Sequence, residues 1–173
     1  MENLKYYFTK ISILIGLILF VSIAGFYQLT AAQDNAQEEA NKTILKRLID
    51  EVYNQRDFNV IYEIADSNYV EHTNGVTTNS ANAIKETITY LNDQAPDFTI
   101  VIEDLIAKGN NVTMRWIYSG KNKKFDKQVI LHGIFIGRFA NGKMVEGWQI
   151  FDNWSRYKQL GFTLISPSAT IEE

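Results

Sequence analysis

The sequence predicts an α+β domain, and two observations lead to this fold class. Before Pro96, apolar residues recur at three- and four-residue spacing, which is the pattern of amphipathic helices. From Phe98 onward, runs rich in Val, Ile, Phe, Trp and Thr are separated by short turn segments, which is typical of antiparallel strands. Helices first and strands afterwards predict helices packed on one face of a curved antiparallel sheet.

Three helices are expected before the sheet. The first has one apolar stripe that runs through about Asn54 and is made of Ile44, Leu45, Leu48, Ile49 and Val52. The second is predicted over Phe58–Ala65 with Asp57 as its N-cap, because an aspartate accepts hydrogen bonds from free backbone N–H groups. The third is expected to begin near Ser80 and to end before Pro96, since the residue before a proline disfavours helical geometry.

Four strand-like runs follow, and short connections between them predict an antiparallel meander. They are Phe98–Ala107, Val112–Ser119, Val129–Phe139 and Met144–Asn153. A short extended segment, Tyr69–His72, precedes them, and a last helix over about Ser155–Leu160 is expected to end at Gly161. A bent sheet with helices over its concave face would enclose a pocket.

Composition excludes several classes of function. The chain has 173 residues, 13% aromatic residues and a net charge of −3, which predicts an aromatic-rich core and gives no electrostatic basis for nucleic-acid binding. The basic cluster Lys121–Lys124 lies between two strand-like runs and is interpreted as a solvated turn. Without cysteine there is no disulfide, thiolate nucleophile or thiolate metal site. No pair of the remaining candidate ligands has the spacing of a metal site.

The amino terminus predicts export. Lys5 and Lys10 precede an uncharged apolar run, Ile11–Phe26, and small residues follow up to Ala32. This arrangement fits a signal peptide cleaved after Ala32 and also fits an uncleaved membrane anchor, and both place the folded domain outside the cytoplasm. The chain would contact a membrane only through this segment, if it is retained. The predicted organisation is 1–32 signal peptide or membrane anchor, 33–40 polar spacer, 41–163 folded domain and 164–173 flexible tail.

Several separated segments, in their order along the chain, resemble one known family. They are Tyr69-Val70-Glu71-His72, Ala95-Pro96-Asp97-Phe98, Ile102–Asn110, Arg138–Trp148 with Asp152, and Gln159-Leu160-Gly161. Together, from about Asn41 to Phe162, the chain resembles the SnoaL-like polyketide cyclase family of the NTF2-like superfamily. The resemblance is more specific for the fold than for an activity, because one fold hosts many functions.

The resemblance implies an NTF2-like cone with an apolar pocket, often a homodimer through its sheet, that works without a metal or an organic cofactor. In cyclases of this family, an aspartate at the position of Asp152 is the general base that starts an intramolecular aldol ring closure. A histidine at the position of His72 commonly lines the same pocket. The Lys-rich segment Ser119–Asp126, where the family carries a Gly-containing stretch near the pocket mouth, and the export signal both depart from the family pattern.

The last predicted strand carries the strongest candidate for acid–base chemistry. Glu146, Trp148, Ile150 and Asp152 lie two residues apart and therefore share one face. On a concave wall beside Trp148, Asp152 would be partly stripped of water and would serve as a general base. The alternative interpretation is that Asp152 caps the helix that follows. His72 is the second candidate, either as an acid or as a hydrogen-bond donor to an enolate oxygen, and the alternative is a partly exposed histidine at a loop.

Further side chains are expected to line the pocket. The predicted wall residues are Trp116, Tyr118, Trp148 and Ile150, although strand aromatics also fill ordinary cores. His132 is a further candidate for the same pocket. With a two-residue loop at Asn141-Gly142, His132 would lie on the opposite face from Asp152, and a single β-bulge would reverse that arrangement.

Three functions are compatible with these residues. We favour an exported binding module whose apolar pocket takes a small lipophilic or carbonyl-bearing ligand. The alternative is a cofactor-independent acid–base enzyme of the cyclase or isomerase type that uses Asp152 and His72. The third is a homodimeric interaction module that uses its sheet face.

Overall fold

The structure, a computed structural model, describes residues 32–165 and the isolated positions Phe20, Ser22, Gly25, Gln28 and Leu29. The chain divides into two compact units, Met1–Gln37 and Glu38–Glu173, and the following description concerns the second. The predicted apolar run of the export segment lies almost entirely outside the described residues, as does the tail beyond Ile165, so export and cleavage stay predictions. Among the described residues, no helix combines the length and the apolar character needed to cross a membrane.

Four helices are described in the second unit. Residues 38–47 are α-helical and continue directly into a π-helical segment, Leu48–Asn54, and we call the whole of 38–54 helix α1. The others are α2 (Val60–Ile64), α3 (Asn82–Gln94) and α4 (Asn153–Leu160). Their positions follow the predicted order, and α3 ends before Pro96 as expected.

Short polar contacts set the ends of these helices. Asp57 Oδ1 accepts a hydrogen bond of 3.1 Å from the N–H of Asn59 in the tight turn before α2, so Asp57 lies ahead of the helix and not at its N-cap. Ser80 Oγ accepts a bond of 3.0 Å from the N–H of Asn82, the first residue of α3. Gly161 ends α4 with φ at +98°, a left-handed conformation that favours glycine.

The sheet has six strands where the sequence predicted four and one extended segment. They are β1 (Ala65–Thr73), β2 (Val76–Asn79), β3 (Thr99–Lys108), β4 (Asn111–Asn122), β5 (Lys127–Ala140) and β6 (Lys143–Phe151), in the spatial order β2-β1-β6-β5-β4-β3. The last four form the predicted meander. The expectation of a wholly antiparallel sheet is wrong, because β1 runs parallel to β6. Local patterns do not reveal this pairing, since α3 and strands β2–β5 separate the two partners in the chain.

One face of the sheet, which we call the inner face, packs against the helices. Along β4 and β5 every second side chain is buried, as expected for strands with one covered face. The largest fully buried side chains come from helices and strands alike and include Leu45, Ile61, Ile84, Ile88, Tyr69, Phe98, Phe139 and Met144. The opposite, outer face carries the exposed side chains of the same strands. The α+β class with helices on one sheet face is therefore confirmed.

A β-bulge between β5 and β6 decides which side chains of β6 face inward. Arg138 pairs with Glu146, whereas the next residue of β5 pairs with Met144, so that Val145 is the inserted residue. Beyond the bulge, Trp148 and every second residue after it lie on the outer face. Without the bulge, the two-residue hairpin loop would place Trp148 opposite an inward-facing residue of β5, and Trp148 would then lie on the inner face.

Two amide side chains cover free strand edges. Asn54, the last residue of α1, accepts a hydrogen bond from the N–H of Ile100 and donates one to its carbonyl oxygen, both at 2.8 Å. Gln159 of α4 makes the same pair of bonds with Ile130, again at 2.8 Å. Since an unpaired strand edge invites pairing with other chains, these contacts protect the sheet and also dock the helices onto it.

Candidate ligand-binding cavity

A cavity of about 240 Å³ lies between the inner face of the sheet and the helices. Five aromatic and three aliphatic side chains form most of its walls: Tyr53, Tyr90, Trp116, Tyr118, Phe151, Leu91, Ile100 and Leu131. An inner extension of about 20 Å³ shares Tyr53, Glu71 and Trp116 with the main cavity. Small-ligand sites are typically lined in this way, with a few polar groups among apolar and aromatic side chains.

The cavity opens between β2 and α3. The lining residues on this side are solvent-exposed, with Val76 and Thr78 on β2 and Thr87 and Tyr90 on α3. Trp116, on the sheet side, is buried. The open side of the cavity therefore lies between the edge hairpin and α3, and its closed side is the inner face of the sheet.

The polar groups of the cavity are few, and half of them lie on the neighbouring strands β1 and β6. They are Glu71 and Thr73 on β1, Gln149 on β6, Arg156 on α4, and the threonines of the mouth. Thr73 Oγ1 donates a hydrogen bond of 2.7 Å to one carboxylate oxygen of Glu71, and the hydroxyl of Tyr69 donates one of 3.1 Å to the other. Gln149 lies opposite Thr73 in the parallel pairing of β1 with β6, so the amide and the carboxylate are on the same wall.

The tyrosines near Glu71 are held in the neutral form. Burial raises the pKa of Tyr69 and of Tyr53 above the ordinary phenol value, and the negative charge of Glu71 raises both further. Burial also raises the pKa of Tyr118. These phenols therefore act as hydrogen-bond donors at physiological pH. The indole N–H of Trp116 is buried and has no hydrogen-bond partner among the described residues.

The predicted wall residues divide between the two faces of the sheet. Trp116 and Tyr118 lie on the wall of the cavity. His132, Trp148 and Ile150 instead line a more open groove of about 570 Å³ on the outer face. The assignment of these three residues to the pocket is corrected here. For Trp148 and Ile150 the physical reason is the bulge, which turns the expected face of β6 outward. His132 lies on the outer face because its neighbours Leu131 and Gly133 on β5 face inward.

Asp152, the expected general base, is the N-cap of α4. Its Oδ1 accepts a hydrogen bond of 2.9 Å from the N–H of Ser155, and its exposed side chain borders the outer groove and not the cavity. The expectation that this carboxylate projects into the pocket between the helices and the sheet is wrong. The capping alternative describes its position, because a free N–H at the start of a helix is satisfied by such a side chain.

His72 also faces the outer side of the sheet. Its Nε2 lies 3.0 Å from Glu146 Oε1, its Nδ1 lies 2.9 Å from Thr77 Oγ1, and its ring stacks on Trp148 with 5.5 Å between ring centroids. Arg138 completes the cluster by donating a hydrogen bond of 2.6 Å to the other carboxylate oxygen of Glu146. The expectation that His72 lines the cavity together with Asp152 is therefore wrong.

Glu71 is the cavity carboxylate that the sequence analysis missed. Alternation along β1 places Glu71 on the face of Tyr69 and Thr73, and places His72 on the other. Tyr69 is 0% exposed and thus marks the inner face. The usable signal was the general preference of large aromatic side chains for the core, which would have turned Tyr69, and with it Glu71, inward.

The cluster on the outer face has a testable pH dependence. Hydrogen bonds from Arg138 and then from His72 hold the pKa of the Glu146 carboxyl below its ordinary value of 4.5. As the pH falls, the Glu146 carboxylate therefore becomes protonated in the unfolded chain before it does so in the folded chain. The stabilisation by these hydrogen bonds is fully present above the ordinary pKa, and it is lost as the pH falls through the lowered pKa of the folded chain. We expect Glu146→Gln to lower the free energy of unfolding at neutral pH and to have no effect in strong acid, as measured by urea unfolding across this pH range. A difference between variant and wild type that is the same at every pH would contradict this origin.

The described part of the chain has no cluster of side chains that could bind a metal ion. Across 32–165 and the isolated positions before it, no three His, Asp or Glu side chains are grouped so as to hold a metal ion. The polar groups that line the cavity belong to Glu71, Gln149 and Arg156 and to hydroxyl and indole side chains.

Several solved structures share the α+β architecture of this chain. IdmH from Streptomyces antibioticus, a candidate polyketide cyclase, superposes with a TM-score of 0.63 at 19% sequence identity, over 70% of this chain and 99% of its own. A candidate SnoaL-like polyketide cyclase from Jannaschia gives 0.67 at 16% identity, over 73% of this chain and 95% of its own. AclR from Streptomyces galilaeus, a candidate hydroxylase, gives 0.65 at 18% identity, over 76% and 87%. At these identities the likeness establishes the fold alone.

The family follows from the sequence match. The model of the SnoaL-like polyketide cyclase family matches residues 43–160, which is most of the chain. This chain therefore belongs to the SnoaL-like polyketide cyclase family. No curated protein is significantly similar to it in sequence.

Proposed function

We propose that this chain binds a small, largely apolar molecule that carries a carbonyl group, and that the cavity on the inner face is its binding site. The observation that carries the proposal is the cavity itself, about 240 Å³ between helices and sheet. Protein interiors are otherwise closely packed, with few voids larger than a water molecule. An opening of this size that reaches solvent between β2 and α3 is therefore a candidate for occupation by a ligand.

The lining indicates the chemistry of the ligand. Tyr53, Trp116 and Phe151 offer aromatic surface against which an apolar body would lose its hydration, and this burial would supply most of the affinity. A carbonyl oxygen would accept hydrogen bonds from the amide of Gln149 or from the guanidinium of Arg156. Among the described residues, the guanidinium of Arg156 makes one long hydrogen bond, of 3.4 Å, to the hydroxyl of Tyr90. Its other N–H groups are therefore available to a ligand.

The proposal is tested at the mouth of the cavity. Thr87 is an exposed residue of α3 that lines the cavity, whereas Thr89, two positions later, is exposed and borders a separate surface depression. We expect Thr87→Trp to weaken the binding of acetylnaphthalene, a two-ring aromatic ketone, by about tenfold or more, because the indole narrows the entrance; tenfold corresponds to about 1.4 kcal/mol. Isothermal titration calorimetry measures the affinity.

Thr89→Trp is the matched control for this experiment. It introduces the same side chain on the same helix, so any general effect of a surface indole appears in both variants. We expect its affinity for acetylnaphthalene to equal that of the wild type. Equal affinities in Thr87→Trp and Thr89→Trp, or no binding to the wild type, would rule out this cavity as the ligand site.

The outer face of the sheet carries exposed apolar side chains that favour self-association of the domain. Ile130, Ile134, Ile136, Trp148 and Ile150 are all partly or largely exposed there, and Ile150 is 73% exposed. Contiguous apolar surface on a folded domain commonly marks an interaction site. Association of two copies through this face is accordingly a proposal, and sedimentation velocity that detects only monomer at micromolar concentration would refute it.

A further inference from the structure

The cavity contains a single carboxylate in a mainly apolar setting. Of the described residues that line the main cavity and its inner extension, Glu71 alone carries a carboxyl group. It shares both spaces with the aromatic side chains of Tyr53 and Trp116. A carboxylate beside apolar walls is less screened by water than one on the surface, which strengthens its interaction with an acidic proton on a bound molecule.

Two neutral donors hold this carboxylate in place. The hydroxyls of Thr73 and Tyr69 donate to different oxygens of Glu71, at 2.7 Å and 3.1 Å. Burial raises the pKa of the Tyr69 phenol, so its hydroxyl keeps its proton and donates a hydrogen bond to the Glu71 carboxylate. Each carboxylate oxygen keeps a second lone pair, which is available to a ligand in the cavity.

A hydrogen-bond donor lies on the same wall as the carboxylate. Gln149 lines the main cavity and its inner extension together with Glu71. Within the described part of the chain, its side-chain amide makes no hydrogen bond to another residue. The amide is therefore free to donate a hydrogen bond to an oxygen atom of a bound molecule.

We propose that Glu71 is a general base that removes a proton from a carbon atom of the bound molecule, while Gln149 donates a hydrogen bond to the oxygen that gains negative charge. The proposal rests on the proposed function, because the reacting molecule must first occupy the cavity. In a carbonyl compound, the C–H bond next to the carbonyl breaks, its electron pair forms the carbon–carbon double bond of an enolate, and the proton passes to Glu71. Return of that proton to carbon or to oxygen regenerates the carboxylate and leaves the keto or the enol form.

A nitro-substituted benzisoxazole tests this chemistry without knowledge of the natural substrate. A base removes the single C–H proton of its five-membered ring, the electron pair forms a nitrile as the ring N–O bond breaks, and a coloured nitrophenolate is released. We expect the wild type to accelerate this reaction over acetate at the same concentration. Glu71→Gln should lower the rate constant by about 10²–10⁴-fold, the usual contribution of a positioned base. Glu71→Asp, which withdraws the carboxylate by one methylene group, should give an intermediate rate.

Two control variants carry the same chemical change on the outer face. Glu146→Gln and Asp152→Asn each remove a carboxylate that does not line the cavity, and both should keep the wild-type rate. An unchanged rate in Glu71→Gln, a loss confined to Asp152→Asn, or a wild-type rate no higher than that of acetate would overturn the assignment. Binding of acetylnaphthalene to Glu71→Gln is measured in parallel. Retained binding with a lost rate supports the role of Glu71, whereas the Thr87→Trp experiment tests the cavity separately.

Discussion

Replacing Gly133 by alanine is expected to lower the free energy of unfolding by about 3 kcal/mol and to weaken ligand binding at the same time. Gly133 is a buried position of β5, and a Cβ atom there would overlap the indole ring of Trp116 well inside contact distance. Room for the methyl group must come from displacing this ring or from bending the strand. Since Trp116 forms part of the cavity wall, either movement also changes the site.

Gly137→Ala is the matched control for this substitution. Gly137 is also buried in β5, but a Cβ atom there would lie 3.0 Å from Phe135 and 3.1 Å from Phe139, and small movements of these rings relieve such contacts. We expect a loss of about 1 kcal/mol. Guanidinium unfolding of both variants gives the comparison. If Gly133→Ala were no less stable than Gly137→Ala, the close packing of Trp116 on the strand backbone would not explain the need for glycine at position 133.

Phe98→Ala is expected to cost about 4 kcal/mol of the free energy of unfolding. Phe98 is 2% exposed and lies at the junction between α3 and β3. Its ring stacks on Tyr118 with 5.6 Å between centroids, and the guanidinium carbon of Arg56 lies 3.7 Å from the ring centre. Truncation would leave a void under a cavity wall and would remove the surface that supports a partly buried cation.

The exposed Phe162 provides the comparison for Phe98. Phe162 is 47% exposed and makes edge-to-face contacts with Phe125 and Tyr157. We expect Phe162→Ala to cost about 1 kcal/mol, since only aromatic contacts near the surface are lost. Guanidinium unfolding measures both variants under the same conditions. Equal losses for Phe98→Ala and Phe162→Ala would contradict the placement of Phe98 in the core.

The sequence predicted the meander well because its strands carry a strong local signal. Along β5, His132 shares a face with Ile130, Ile134 and Ile136, and that face is exposed. The orientation of β6 could not be predicted in the same way. It depends on one inserted residue, Val145, and a bulge shifts every later side chain to the other face. This single residue explains why Trp148 and Asp152 lie outside the cavity.

A different reason explains why the position of Glu71 beside Gln149 could not be predicted from the sequence. Glu71 and Gln149 come together because β1 lies parallel to β6, and this contact joins segments that are distant in the chain. Local periodicity carries no information on such pairing. The family resemblance named a carboxylate on the last strand, whereas the described cavity holds its carboxylate on β1 and an amide on β6. The fold could therefore be predicted from the sequence. To predict which polar side chains meet in the cavity, the register of β1 against β6 must also be known.

A crystal structure with a brominated phenyl ketone bound tests most directly whether ligands occupy the inner face. The anomalous signal of bromine locates the molecule without reliance on weak density. We predict a peak between α3 and the sheet, in the space bordered by Glu71, Gln149 and Trp116. A peak confined to the outer groove beside His132 and Asp152 would contradict this account.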